Sequence, residues 1–170
     1  MFADEWGNKV FIESYPQQYD RMKRFLRRIA DQNRDQMDYI DDMWSFFMHC
    51  YHLKDWIKND PQTKSGVGHK VEDKITDSAP LRMVADLANR VKHFCLKPNM
   101  IKGNNANMAS IGVTMMPLSL TLESEETDPA SCTVKYRVII KTDRGDKIDG
   151  LQLAEDAVKE WDKILKDLDL

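Results

Sequence analysis

Apolar residues recur at the helical period over two long stretches of the chain. From Asp38 to Asn59, Ile40, Met43, Trp44, Phe47 and Tyr51 repeat at i, i+3, i+4 and i+7, and Phe46, Cys50, Leu53 and Ile57 form a second apolar row. Together the rows cover most of the circumference, which predicts a central helix with neighbours on several sides. One seam stays polar: Asp38, Asp42, Ser45, His49, His52 and, beyond Trp56, Asn59. Spacings of three and four stack these residues on one face. From Leu81 to Lys97 the pattern is amphipathic. Leu81, Val84, Ala88, Val91 and Cys95 make the apolar face, and Arg82, Asp86, Asn89, Arg90, His93 and Lys97 the polar one. Solvation is the plain reading for Arg82 and Lys97, whereas Asp86, Asn89 and His93 are side-chain types that also make buried or catalytic hydrogen bonds.

The flanking segments fill in the architecture. Pro16 suits the first turn of a helix running from Gln17 to about Gln32, with Tyr19, Met22, Leu26 and Ile29 on its inner face. Pro61 ends the long central helix and opens a loop, Pro61–His69, followed by a short helix over Lys70–Thr76. Asp77 or Ser78 caps the next helix, with Pro80 in its first turn. Beyond Pro98, Asn99–Asn107 reads as a flexible loop. The chain then turns β-like: Ala109–Met116, Leu118–Glu123 and Cys132–Thr142 are strand runs, with an acidic connection at Ser124–Ala130 and a turn at Asp143–Asp146. A further short strand is placed at Lys9–Ile12. Leu153, Ala157, Trp161, Ile164 and Leu168 mark the inner face of a last helix, Leu151–Leu168. The prediction is a single α+β domain over residues 1–170. It has a helical core at 16–97, antiparallel strands at 108–143 and a C-terminal helix at 151–168, giving a bundle of four or five helices with a small sheet inserted before the last one.

Composition adds limits. An apolar fraction of 42% and a charged fraction of 31% describe a soluble protein, and a net charge of −3 provides no global basic field. Locally, Arg21, Lys23, Arg24, Arg27 and Arg28 place five cations within eight residues. They are positioned either to meet phosphates or to form a solvated face paired with Asp20 and Asp31. Cys50, Cys95 and Cys132 lie far apart, the first two at helix positions that read as buried. With no C-x-x-C spacing and an odd count, the expectation is a reducing, cytoplasmic setting. The longest apolar run is too short to span a bilayer, so no membrane association is expected.

Candidate chemistry centres on the histidines. His49, His52 and Asp55 follow one another at intervals of three and have metal-ligand types, but no Glu-x-x-His or His-x-x-x-His element accompanies them. No metal and no cofactor is expected. Cys50 and Cys95 adjoin histidines only in sequence, and neighbouring residues on a helix diverge, which argues against a thiol nucleophile. The aromatic cluster Trp44, Phe46, Phe47, Tyr51 and Trp56 reads as core, or in part as a seam with a second copy of the chain.

FFMHCYHLKDWI, DLANRVKHF about thirty residues later, a strand pair and a helix with AVKEWDKIL together resemble a group of small bacterial and phage proteins. Their helical core is similar to the HEPN superfamily, and the resemblance covers Gln36–Lys97 and, more loosely, the last helix. It implies a metal-independent endoribonuclease or nucleotide-binding protein, dimeric, of a toxin–antitoxin or antiphage type. The family motif places His four to six residues after Arg. Here Arg90 precedes His93 by three and Arg82 precedes it by eleven, so the motif spacing is not reproduced.

The resemblance carries over Asn89, Arg90 and His93; with His49 or His52 on the neighbouring helix as a second acid or base, the candidate catalytic set is His93, Arg90, His52 and His49, and Asn89, Asp86 and Asp55 are the candidate binding residues. Histidine would move the 2′-hydroxyl and leaving-group protons, and arginine would stabilise the phosphate charge. The alternative is a non-catalytic protein-interaction module on the same scaffold, in which these groups satisfy one another. The candidate partners are accordingly RNA or nucleotide, a second copy of the chain, or another protein.

Overall fold

A computed structural model describes residues 13–31, 35–93, 95–117 and 132–170. In chain order its elements are α1 (Tyr15–Ala30), α2 (Gln36–Asn59), α3 (Val67–Asp77), α4 (Ala79–His93), a short 3-10 turn (Pro98–Met100), β1 (Asn107–Pro117), β2 (Cys132–Lys141), β3 (Lys147–Asp149) and α5 (Gly150–Asp167). The α+β architecture read from the sequence, a helical bundle with a small antiparallel sheet before the last helix, is the architecture observed.

Helix α2 is the axis of the molecule and touches each of the other four described helices as well as β2. Its buried stripe is Tyr39, Met43, Phe46, Cys50, Leu53 and Ile57, flanked by Asp42 and Phe47. Of the first predicted row, only Met43 and Phe47 are buried. Ile40, Trp44 and Tyr51 lie half-buried at the margins. Phe46 and Phe47 are fully enclosed and meet edge to face at 5.6 Å, each contributing roughly 1.5–3 kcal/mol by burial. Helix ends follow the capping residues. Asp35 accepts the Met37 N–H at 2.8 Å at the start of α2. At its end, the buried Asp60 accepts from the backbone N–H of Tyr15 at 3.0 Å and of Gln62 at 2.9 Å, which ties the start of α1 to the end of α2.

The sheet has the order β1-β2-β3, antiparallel throughout. Pairing of β1 with β2 runs from Asn107↔Lys141 to Pro117↔Cys132, with a bulge between Met108 and Ser110. Val138 and Ile140 of β2 are buried, and Tyr136 stacks obliquely on Tyr39 of α2 at 5.6 Å. Gly145, at φ 86°, supplies the left-handed turn that leads into β3. Asp149 then caps α5 by accepting from Leu151 and Gln152. Helix α5 buries Leu153, Ala154, Ala157, Trp161 and Ile164, and the Trp161 indole donates to the Cys50 carbonyl at 3.1 Å.

Four details depart from the sequence reading. Helix α3 starts at Val67, three residues early, behind the left-handed Gly66. The third strand of the observed sheet is Lys147–Asp149; the predicted strands Lys9–Ile12 and Leu118–Glu123 and the Ser124–Ala130 connection lie outside the described residues. Cys95 is exposed rather than buried, because α4 ends at His93. The segment read as a flexible loop, Asn99–Asn107, is held against α4 by side-chain hydrogen bonds.

Replacing the enclosed Trp161 by alanine opens a cavity and removes the donor to Cys50. Urea unfolding is expected to show a loss of about 3–5 kcal/mol, against less than about 0.5 kcal/mol for Met37→Ala at a surface position.

Candidate functional site

Asp86 and Arg90 of α4 face the segment that carries the chain from the helices to the sheet. The Asp86 side chain is fully buried. Its carboxylate accepts from the backbone N–H groups of Lys102 at 2.5 Å, Gly103 at 2.7 Å and Ala106 at 3.1 Å. One turn later, Arg90 Nε donates to the Ala106 carbonyl at 3.0 Å and its Nη2 to the Asn105 side chain. The loop lies so close to α4 that a Cβ on Gly103 would sit 2.4 Å from the Met83 backbone. Asn104 and Asn105 adopt left-handed backbone at φ 59° and 57°, a conformation asparagine accepts more readily than most residues. Asp86 and Arg90 are therefore committed to the protein's own backbone.

The other members of the predicted set are dispersed. Asn89 is half-buried and His93 exposed in the second half of α4. Val91 borders a surface depression with Trp44 and Met48, while Arg82 and Ala85 border another with Tyr51 and Lys54. Helices α2 and α4 thus run antiparallel, so His52 lies level with the first half of α4 and His93 beside the first half of α2. The two imidazoles do not share a site. His52 forms an exposed pair with Asp55 at 3.3 Å, and Asp55 also accepts from Lys54 Nζ at 2.6 Å. Burial pushes the Cys50 thiol up to about 12, leaving it protonated and inert. Among the described residues no group of three or more His, Cys, Asp or Glu side chains is arranged to hold a metal ion.

His49 stands elsewhere, in a cluster with the cationic face of α1. Its ring stacks on Phe25 at 5.2 Å with 15° between the planes. Gln18, a buried polar residue of α1, links the two helices. Its amide nitrogen lies 3.0 Å from His49 Nδ1 and donates to the His49 carbonyl at 3.2 Å, while its oxygen accepts from Arg21 Nη1 at 2.9 Å. Arginine only donates, so the amide orientation is fixed, Nδ1 is the acceptor and the ring proton sits on Nε2. Desolvation lowers the His49 pKa, and Arg21, His52 and Arg24 lower it further, so the ring is neutral near pH 7.

Arg21, Arg24, Phe25, Arg28 and His49 line an open depression of about 280 Å³. Arg28 forks onto the buried carboxylate of Asp42 at 2.9 and 3.0 Å. Arg21 pairs with Glu13 at 2.5 Å and lies over Trp56. Arg24 is exposed and, among the described residues, has no ion-pair partner. The sequence showed the cations and His49 separately. Phe25 and Gln18 were missed, and the only available signal was their position on the α1 face that carries the arginines. No protein-family model matches the chain, and no curated protein or solved structure is significantly similar to it.

Two outcomes are expected. Asp86→Ala leaves three backbone donors without their acceptor and should cost more than about 3 kcal/mol in denaturant unfolding, whereas His93→Ala should be silent. For His49 the folded-state pKa lies below the ordinary value of 6.5. The unfolded chain therefore binds the proton more readily, and stability falls as pH drops through that value. Thermal melts of wild type and His49→Gln should therefore draw together as pH falls below 6.5.

Proposed function

We propose that the protein is a non-catalytic binding module for RNA, on a HEPN-like helical scaffold, and that it engages the phosphate backbone through the arginine face of α1. The observation that supports this reading is the convergence of Arg21, Arg24 and Arg28 around the stacked Phe25–His49 pair. Guanidinium groups match phosphate oxygens with paired donors. Positions 21, 24 and 28 follow one ridge of α1 over about 10 Å at 1.5 Å per residue. That length spans about three phosphates of a stacked strand at 3.4 Å each. Phe25 and His49 present aromatic surface beside the cations, the combination that lets bases stack while the backbone is neutralised. The local arginines act despite the net charge of −3, because distant acids are screened beyond about 8 Å at physiological salt.

Commitment of Asp86 and Arg90 to the loop, with His93 apart from His49 and His52, favours binding over cleavage. Anisotropy with a labelled single-stranded oligoribonucleotide should show saturable binding that weakens with salt. The log–log slope is expected between about −0.7 and −2, at about 0.7 per neutralised phosphate, because Arg21 and Arg28 are already paired with Glu13 and Asp42. Arg24→Gln should lower the magnitude of that slope by about 0.7 without changing thermal stability, since its side chain is exposed. An affinity indifferent to salt or to Arg24 would remove this reading. RNA incubated with the protein in chelator should remain intact; cleavage abolished by His93→Ala would replace it with the nuclease reading.

A further inference from the structure

The depression bordered by α2, α3 and α4 differs in chemistry and position from the α1 arginine face. Its volume is about 350 Å³, within the range of small-ligand sites, about 300–1,000 Å³. The buried Ile75 and Ala85 form an apolar floor and the half-buried Tyr51 ring one wall. Four charged side chains stand at the rim: Lys54, Glu72, Arg82 and Lys102. Two of them are already compensated. Lys54 bonds to Asp55 at 2.6 Å and lies 4.9 Å from the Tyr51 ring centroid, and Glu72 accepts from Lys58 at 3.3 Å. The other two are cations without a counter-ion among the described residues. Arg82 uses one N–H on the Thr76 carbonyl, at 2.5 Å, leaving the rest of its donor fork. The Lys102 ammonium and the Tyr51 hydroxyl have no hydrogen-bond partner among the described residues.

We propose that this cavity binds a small organic anion, an aromatic body bearing one carboxylate or phosphate group. The ring would lie on Tyr51, Ile75 and Ala85, with the anionic group between Arg82 and Lys102. The site is held open before any ligand arrives. Asp86 fixes the Lys102 backbone from below, and the Thr76 carbonyl fixes Arg82. The hydrogen bond to Thr76 holds the Arg82 guanidinium in place and so favours binding, because less side-chain freedom is left to lose there, while the Lys102 ammonium stays free to reach the anion.

Amide chemical-shift titrations of the full chain with benzoate, phenyl phosphate, inorganic phosphate and benzyl alcohol test the proposal. Benzoate, phenyl phosphate or both should saturate, with shifts confined to the surroundings of Tyr51, Ile75, Arg82, Ala85 and Lys102; which of the two does so identifies the headgroup. Inorganic phosphate lacks the ring and benzyl alcohol lacks the charge, so each should bind at least about tenfold more weakly. Lys102→Gln removes only an exposed ammonium and should weaken the anion about threefold to tenfold, with melting unchanged. Arg24→Gln should leave this binding untouched. Failure of both aromatic anions to saturate, equal binding of benzyl alcohol, an unaffected Lys102→Gln, or shifts centred on Arg24 and His49 would each overturn it.

Discussion

A single buried carboxylate joins the two halves of this molecule. Asp86 sits in α4 with no solvent exposure and accepts three backbone N–H groups from the segment that leaves the bundle. A carboxylate taken out of water is strongly unfavourable unless donors replace its hydration shell. Lys102, Gly103 and Ala106 are those donors, and their spacing dictates the path of the chain. The loop bends tightly enough to need left-handed backbone at Asn104 and Asn105, and Gly103 lets it lie on Met83. Asn104 then accepts from the Asp143 N–H at 2.9 Å, so the same clamp also fixes the turn after β2. The sheet is held at this point and by the burial of Val138 and Ile140, while α5 packs directly on the bundle through Trp161.

The polar seam of α2 has a parallel role toward α1. Asp42 receives the Arg28 fork, His49 and its carbonyl face Gln18, and Asp60 accepts from Tyr15. These contacts lie at successive levels of the α1–α2 interface and set the register of two helices whose apolar contacts alone are less directional. The same side chains shape the surface. Holding Arg28 to Asp42 and Arg21 to Gln18 and Glu13 orders two guanidinium groups, while Arg24 between them keeps its charge. The α1 face therefore combines fixed donors with an uncompensated cation.

Two positive regions coexist with a slightly acidic chain because pairing, rather than composition, decides where charge remains. Lys54, Lys58, Lys74, Lys159 and Lys163 each meet a carboxylate. Exposed pairs of this kind add little stability, but they cancel local fields. Arg24, Arg82 and Lys102 belong to the cations that lack such a partner among the described residues, and they are the ones that border a depression of the surface on α1 or beside α4.

The periodicity of apolar residues determined the helices, the centrality of α2 and the inner face of α5, because helical spacing and burial are local properties of the chain. Alternation in Val134–Ile140 likewise announced β2. The cations of α1 and the histidines were also legible, as residue types. What each polar residue does was decided by the tertiary structure. Asp86 and Asn89 are three residues apart on one predicted polar face, yet one is fully buried among backbone donors and the other is half-exposed. His49 and His52 share a predicted seam, but one stacks on Phe25 and the other faces solvent beside Asp55. Sequence spacing gives the direction of a side chain around its own helix. The partner it meets depends on which other helix or loop packs there, and that is a property of the assembled fold alone.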